Sequence, residues 1–120
     1  MSKKVLIVDD SLYMRTVIKD ALVTAGFDVV GQAANGESAI DLALELQPDL
    51  ITLDNILPDM LGLEILKVLK EEELKSKIVM ISAVGQDNVV DEGKGLGADD
   101  YIVKPFTNEQ LLDVIGKVLD

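Results

Sequence analysis

The chain has no cysteine, which excludes disulfides and a thiolate metal site and fits a reducing compartment. Aromatic residues make up only 3% of the 120 residues, against 48% hydrophobic overall, so Val, Ile, Leu and Ala must build the core. No apolar run approaches the roughly 20 residues of a bilayer-spanning helix, and no signal-peptide pattern opens the sequence. A cytoplasmic protein is expected. Positive charge is scarce: Arg15 is the one arginine, the formal charge is -11 and the pI about 4.2. So acidic a chain is unsuited to gripping nucleic acid through its phosphates. Basic proteins or cations are the expected partners.

What is present is a short apolar run that ends in an acid, Leu50-Ile51-Thr52-Leu53-Asp54. A loop bounded by Pro58 and Gly62 follows. Such a run reads as a buried strand, with Asp54 where strand meets loop. In open parallel sheets ligands bind at that carboxyl edge.

The same punctuation recurs along the chain. Val5 to Val8 reads as a central strand ending in Asp9-Asp10, with Ser11 capping the next helix. That helix is expected to bury Leu12, Ile18, Leu22 and Val23 and to stop at Gly26. Phe27–Ala33 is a second strand and Gly36–Leu46 a second helix. Leu61–Glu72 is a third helix, with Leu63, Leu66, Val68 and Leu69 on its apolar face. Lys77–Ser82 is a fourth strand. Gln86–Leu96 is a fourth helix, expected to be loosely held because internal glycines cost a helix about 1 kcal/mol each. Asp100–Val103 is a fifth strand ending at Lys104-Pro105. Thr107 to Gln110 forms a capping box for the last helix. Strand and helix alternate five times, which predicts one domain over residues 1–120, an α/β doubly wound parallel sheet.

Alternation brings the strand ends Asp9-Asp10, Asp54, Ser82 and Lys104 to one edge. Three carboxylates at close range repel by roughly 1–4 kcal/mol per pair. A hard divalent cation relieves that repulsion, and Mg2+ suits such a site best. Lys104 adds a point charge and Ser82 a donor for phosphoryl oxygens, and Asp54 can act as nucleophile, forming an acyl phosphate. Singly, these residues are commonplace: a helix cap, a turn serine, a surface lysine. Jointly, four strand ends supply complementary groups.

Asp9-Asp10, Asp54 with Pro58 and Gly62 behind it, Ser82-Ala83 and Lys104-Pro105-Phe106 resemble the response-regulator receiver domain of two-component signalling, over the whole chain. Ser82 to Gln86, Met14-Arg15 and Tyr101 resemble, more narrowly, its chemotaxis branch in archaea and Gram-positive bacteria. The resemblance implies a flavodoxin-like (βα)5 fold with strand order 2-1-3-4-5 and a cis peptide before Pro105. It implies phosphoryl transfer from a CheA-like histidine kinase to Asp54, assisted by Ser82 and Lys104. Magnesium would be held by Asp9, Asp10, Asp54 and the backbone carbonyl of Ile56. Ser82 and Tyr101 would act as switch residues for a partner face that draws on Val89, Val90, Lys94, Tyr101, Gln110, Val114 and Lys117. The expected reader of that face is a flagellar motor switch protein or an archaeal adaptor such as CheF, with a separate phosphatase as a possible third partner. The chain is expected to be a monomeric phospho-switch, not an enzyme acting on a separate substrate, and to bind neither nucleic acid nor membrane.

Ile56, two residues after Asp54, stands where relatives often carry a polar residue, and Val84, two after Ser82, is apolar too; neither can hydrogen-bond a hydrolytic water, so slow self-dephosphorylation is expected. An aspartate-nucleophile phosphatase would need a second acid at position 56, and a flavodoxin would not place Asp9-Asp10 where its phosphate sits. A phosphorelay intermediate, or a receiver from a longer regulator or another two-component pathway, shares every site residue.

Overall fold

The computed structural model describes residues 2–83 and 87–120. Five strands form one sheet in the order β2-β1-β3-β4-β5. They are β1 (Lys4–Val8), β2 (Asp28–Ala33), β3 (Leu50–Asp54), β4 (Lys77–Ala83) and β5 (Asp100–Lys104). Every pairing is parallel. The helices are α1 (Leu12–Thr24), α2 (Gly36–Leu46), α3 (Gly62–Glu71), α4 (Asp87–Gly95) and α5 (Asn108–Leu119). No helix among the described residues is long and apolar enough to cross a membrane.

Strand side chains alternate between the faces of a sheet, and the core follows that alternation. Leu6, Val8, Ile51, Leu53, Ile78 and Met80 pack with α2 and α3. Val5, Ile7, Leu50, Val79, Ile81 and Ile102 pack with α1 and α5. A strand buried on both faces has few polar positions to spare, and this is why β1 and most of β4 read as apolar runs, while β3 is interrupted by the buried Thr52. Full burial of each such side chain contributes about 1.5–3 kcal/mol.

Local signals in the sequence set the helix ends. The Ser11 hydroxyl accepts from the Met14 N–H, and Thr107 and Gln110 close a reciprocal capping box on α5. Gly26 takes the left-handed conformation after α1, with φ 93°. The Lys104–Pro105 peptide is cis.

Two expectations about buried helix residues are corrected. Leu12 and Val23 are exposed, and α1 buries Ile18, Ala21 and Leu22 instead. Ile65, not named among the apolar residues of the third helix, is among its most buried. The fourth helix runs Asp87–Gly95, within the expected Gln86–Leu96, and Gln86 lies outside the described residues. Gly93 within it is buried, and a Cβ there would lie 2.9 Å from the Met80 sulfur. That glycine lets α4 approach β4 closely, so its helix-propensity cost is offset by packing.

Candidate functional site

The strand parity that orders the core also orders the carboxyl edge. Continuing the alternation one residue past Val8 puts Asp9 on the α1/α5 side, and Asp54 and Lys104 share that side. The three side chains meet there. Lys104 Nζ lies 3.2 Å from Asp9 Oδ2 and 3.3 Å from Asp54 Oδ1. Asp9 is only 1% exposed, and its second oxygen accepts from the Ser11 N–H at 2.9 Å. Asp10 is exposed, yet it offers a carboxylate oxygen to a group in which Asp9, Asp10 and Asp54 lie within 4.8 Å of one another.

The electrostatics follow from crowding. Burial, then the charge of Asp9, pushes the Asp54 carboxyl up from 3.8 to about 6, with Lys104 pulling the other way. Burial alone would lower Lys104, but its contacts with Asp54 and Asp9 outweigh that and raise it. Three carboxylates around one ammonium leave negative charge uncompensated. A donor set made only of carboxylate oxygens suits a hard divalent cation. The residues therefore fit magnesium.

Backbone approach fixes the two acidic loops. Arg15 donates from Nη1 to the Asp9 carbonyl at 2.7 Å and from Nε to Gln32 Oε1 at 3.1 Å, tying the first loop to β2. Gly62 opens α3 directly against β3, where an added Cβ would lie 2.6 Å from the Asp54 carbonyl oxygen. Asp59 accepts from the N–H groups of Gly36 and Glu37 and so ties the second loop to the start of α2. Those two hydrogen bonds, Gly36 first, hold its carboxyl below the ordinary value. Ile56 bridges Leu61 across that loop, its side chain 56% exposed. The bridge's hydrogen bonds use Asn55 O and Leu57 N, so neither engages the Ile56 carbonyl that the sequence offers as a ligand.

Ser82 stands apart from this group. The alternation of β4 gives it the parity of Ile78 and Met80, on the α2–α4 side. It is 2% exposed and its Oγ has no hydrogen-bond partner among the described residues. Tyr101 shares that side, half-buried against the same core. Lys94 Nζ sits 4.8 Å from the centre of its ring. A groove of about 410 Å³ beside β5 and α5 is lined by Tyr101, Val103, Lys104, Phe106, Gln110 and Val114. Lys117 is exposed and falls on the Gln110–Val114 stripe of α5 by helical spacing. Val90 is half-buried on α4. Val89 is half-buried on the same helix and packs in part against the core. Val84, whose apolar character entered the reading of dephosphorylation, lies outside the described residues.

Sequence reasoning did not single out the roles of Arg15, Gly62 and Asp59. For Gly62 a signal existed, a glycine at the first position of a helix behind a strand-end acid. The other two act through contacts distant in sequence.

A parallel five-stranded sheet with an acid trio and a lysine at its carboxyl edge is the architecture of a receiver domain. The chain belongs to the response regulator receiver domain family, whose sequence profile matches residues 5–116. It is 43% identical over 120 residues to the chemotaxis protein CheY of Bacillus subtilis, covering 100% of both chains. Against CheY of Thermotoga maritima the identity is 41% over 118 residues, 98% of each. Its fold is similar to a CheX–CheY–BeF3–Mg2+ complex from Borrelia burgdorferi, with TM-score 0.94 and 31% identity over 98% of this chain and 90% of that one.

Proposed function

We propose that this chain is a chemotaxis response regulator that carries its signal as a phosphoryl group on Asp54. The observation that carries the reading is the meeting of Asp9, Asp54 and Lys104 at the carboxyl edge of the sheet. A carboxylate oxygen of Asp54 attacks the phosphorus of a histidine kinase's phosphohistidine. The phosphorus–nitrogen bond breaks, its electron pair returns to the imidazole, and an acyl phosphate forms on Asp54. Asp9, Asp10, Asp54 and the Ile56 carbonyl would hold magnesium, which neutralises charge on the transferring group. Lys104, already bonded to the Asp54 carboxylate, is placed to pair with a phosphoryl oxygen. Hydrolysis later returns the carboxylate, and a separate phosphatase can accelerate that step.

Ser82 and Tyr101 pass the change to the face made by α4, β5 and α5. There the groove beside Tyr101, flanked by Lys94, Gln110, Val114 and Lys117, takes a motor switch protein or its adaptor. The reading places the protein in the cytoplasm, where kinase and motor meet.

The test is phosphorylation with acetyl phosphate and magnesium, read by intact-protein mass. The wild type should gain one phosphoryl group that hydroxylamine removes, and Asp54→Asn should gain none. Equal labelling of the two proteins, or labelling that survives hydroxylamine, would remove Asp54 from its role.

A further inference from the structure

The loop that follows Asp54 is a closed hairpin. Ile56 bridges Leu61, the Gly62 N–H donates to the Asn55 carbonyl at 2.6 Å, and the Leu57 N–H donates to the Met60 carbonyl at 3.3 Å. Those bonds fix its internal shape but not its seat on the rest of the fold. Leu57 and Met60 rest on the α2–α3 side of the core. The tip is held by Asp59, whose Oδ1 accepts from the Gly36 N–H at 2.7 Å and whose Oδ2 accepts from the Glu37 N–H at 3.0 Å.

These donors are the first two N–H groups of α2. The first turn of a helix leaves its N–H groups without intrahelical partners, and its positive end favours a carboxylate. Asn35, the residue before α2, satisfies the Ser38 N–H at 2.8 Å. Asp59, 22 and 23 positions away, takes the two before it. Gly36 also makes room for the hairpin, since a Cβ there would run into the Met60 side chain. A two-pronged polar contact and a packed methionine beside it thus join the hairpin to the start of α2.

Ile56 stands three residues before Asp59. Its carbonyl is free of the hairpin's own bonds and is the ligand this loop would give to magnesium. Metal ligands keep their orientation through the groups that hold them, and losing such a group typically weakens binding by about 10-fold to 100-fold.

We propose that Asp59 is a positioning residue for magnesium: its grip on the first two N–H groups of α2 holds the loop that carries the Ile56 carbonyl, and so couples α2 to cation binding. This rests on the magnesium reading given above. The coupling runs both ways by thermodynamic necessity. If the grip tightens magnesium binding, bound magnesium tightens the grip. Helix α2 contributes no ligand, yet its first turn becomes sensitive to whether the site is loaded.

The experiment is a magnesium titration followed by amide NMR, with hydrogen exchange read at the two ends of the titration. Asp59→Ala should weaken magnesium binding by about 10-fold, the low end of the usual range because Asp59 acts through the loop and not on the ligand itself. Asp59→Asn keeps the shape and one acceptor and should fall between the two proteins. Asn35→Ala removes the other cap of the same helix end; it should lower the urea midpoint and leave magnesium affinity unchanged. In the wild type, saturating magnesium should slow exchange of the Gly36 and Glu37 amides by about 10-fold, and that of Ser38, held by Asn35, by less. Asp59 variants that bind magnesium like the wild type overturn the proposal. So does an equal loss of affinity in Asn35→Ala, or exchange at Gly36 and Glu37 that magnesium leaves unchanged. A wild type that binds no magnesium defeats the magnesium reading and this inference with it. Wild-type binding with indifferent Asp59 variants defeats this inference alone.

Discussion

Asp54→Asn tests the electrostatics of the site most directly, because it removes one charge and keeps the shape. The Asp54 carboxyl stands at about 6 in the folded chain against 3.8 for an ordinary aspartate, first through burial and then through Asp9. The native state therefore holds this proton to higher pH than the unfolded chain does. Below pH 3.8 both states are protonated and nothing is lost. Between 3.8 and about 6 the unfolded carboxyl ionises more readily, so native stability falls as pH rises. Above about 6 the full penalty applies, and a difference of that size corresponds to roughly 3 kcal/mol. Asp54 is only 8% exposed, so solvent screening does not erase it.

The expected result is that Asp54→Asn is more stable than wild type by about 3 kcal/mol at pH 7 in chelator-treated buffer. For a domain of this size that is a rise in Tm of roughly 10 °C. Urea titrations at pH 7, 5 and 4 would follow the gain as it shrinks and almost vanishes at the lowest pH. Groups elsewhere titrate alike in both proteins and cancel in the difference. Millimolar magnesium should stabilise wild type more than the variant, by mass action on a site that keeps all its carboxylates. A gain that is the same at pH 4 and pH 7, or no gain at pH 7, would refute the account of crowding.

Gly62→Ala should destabilise the fold by about 1–3 kcal/mol, the usual cost of overpacking, and weaken magnesium binding, since its Cβ would press on the Asp54 carbonyl; urea melts with and without magnesium read both effects. Ile56→Asn should speed loss of the phosphoryl group from Asp54 by offering a polar group to orient the attacking water, and an unchanged decay of acetyl-phosphate-labelled protein would remove that argument. Tyr101→Ala should weaken beryllofluoride-dependent partner binding more than it slows phosphorylation, because Tyr101 lines the groove beside β5 and lies away from the acid trio; equal binding by variant and wild type in a pull-down would move the partner elsewhere.

Much of the architecture was legible because its causes are local. Val5 to Val8 declares a strand buried on both faces, and Ser11, Thr107 and Gln110 mark helix ends through bonds spanning three residues. The buried face of α1 was less legible. Leu12 and Val23 lie about a quarter turn around the helix from Leu22, so the apolar residues trace two overlapping stripes. Only docking against the sheet selects Ile18, Ala21 and Leu22. The acids and Lys104 could be found because strand ends in an alternating βα chain share an edge. Arg15 reaching the Asp9 carbonyl and Asp59 holding α2 depend on approaches across 6 and 22–23 positions, which no local pattern encodes.

The edge that the sequence presents as one site is divided by the sheet itself. Asp9, Asp54 and Lys104 stand toward α1 and α5, where the charge is handled. Ser82 and Tyr101 carry the parity of the α2–α4 side. A phosphoryl group on Asp54 would thus appear on one face and be read on the other. Ser82 suits the crossing because it ends β4, the strand between Asp54's own β3 and the edge strand β5. Being at the edge, β5 can expose residues of both parities to one groove, and Tyr101 and Lys104 both line it. On the proposed reading, a partner seated there would meet Lys104 and Tyr101 together. On that same reading, a small rearrangement of Ser82 would alter the surface without moving the sheet.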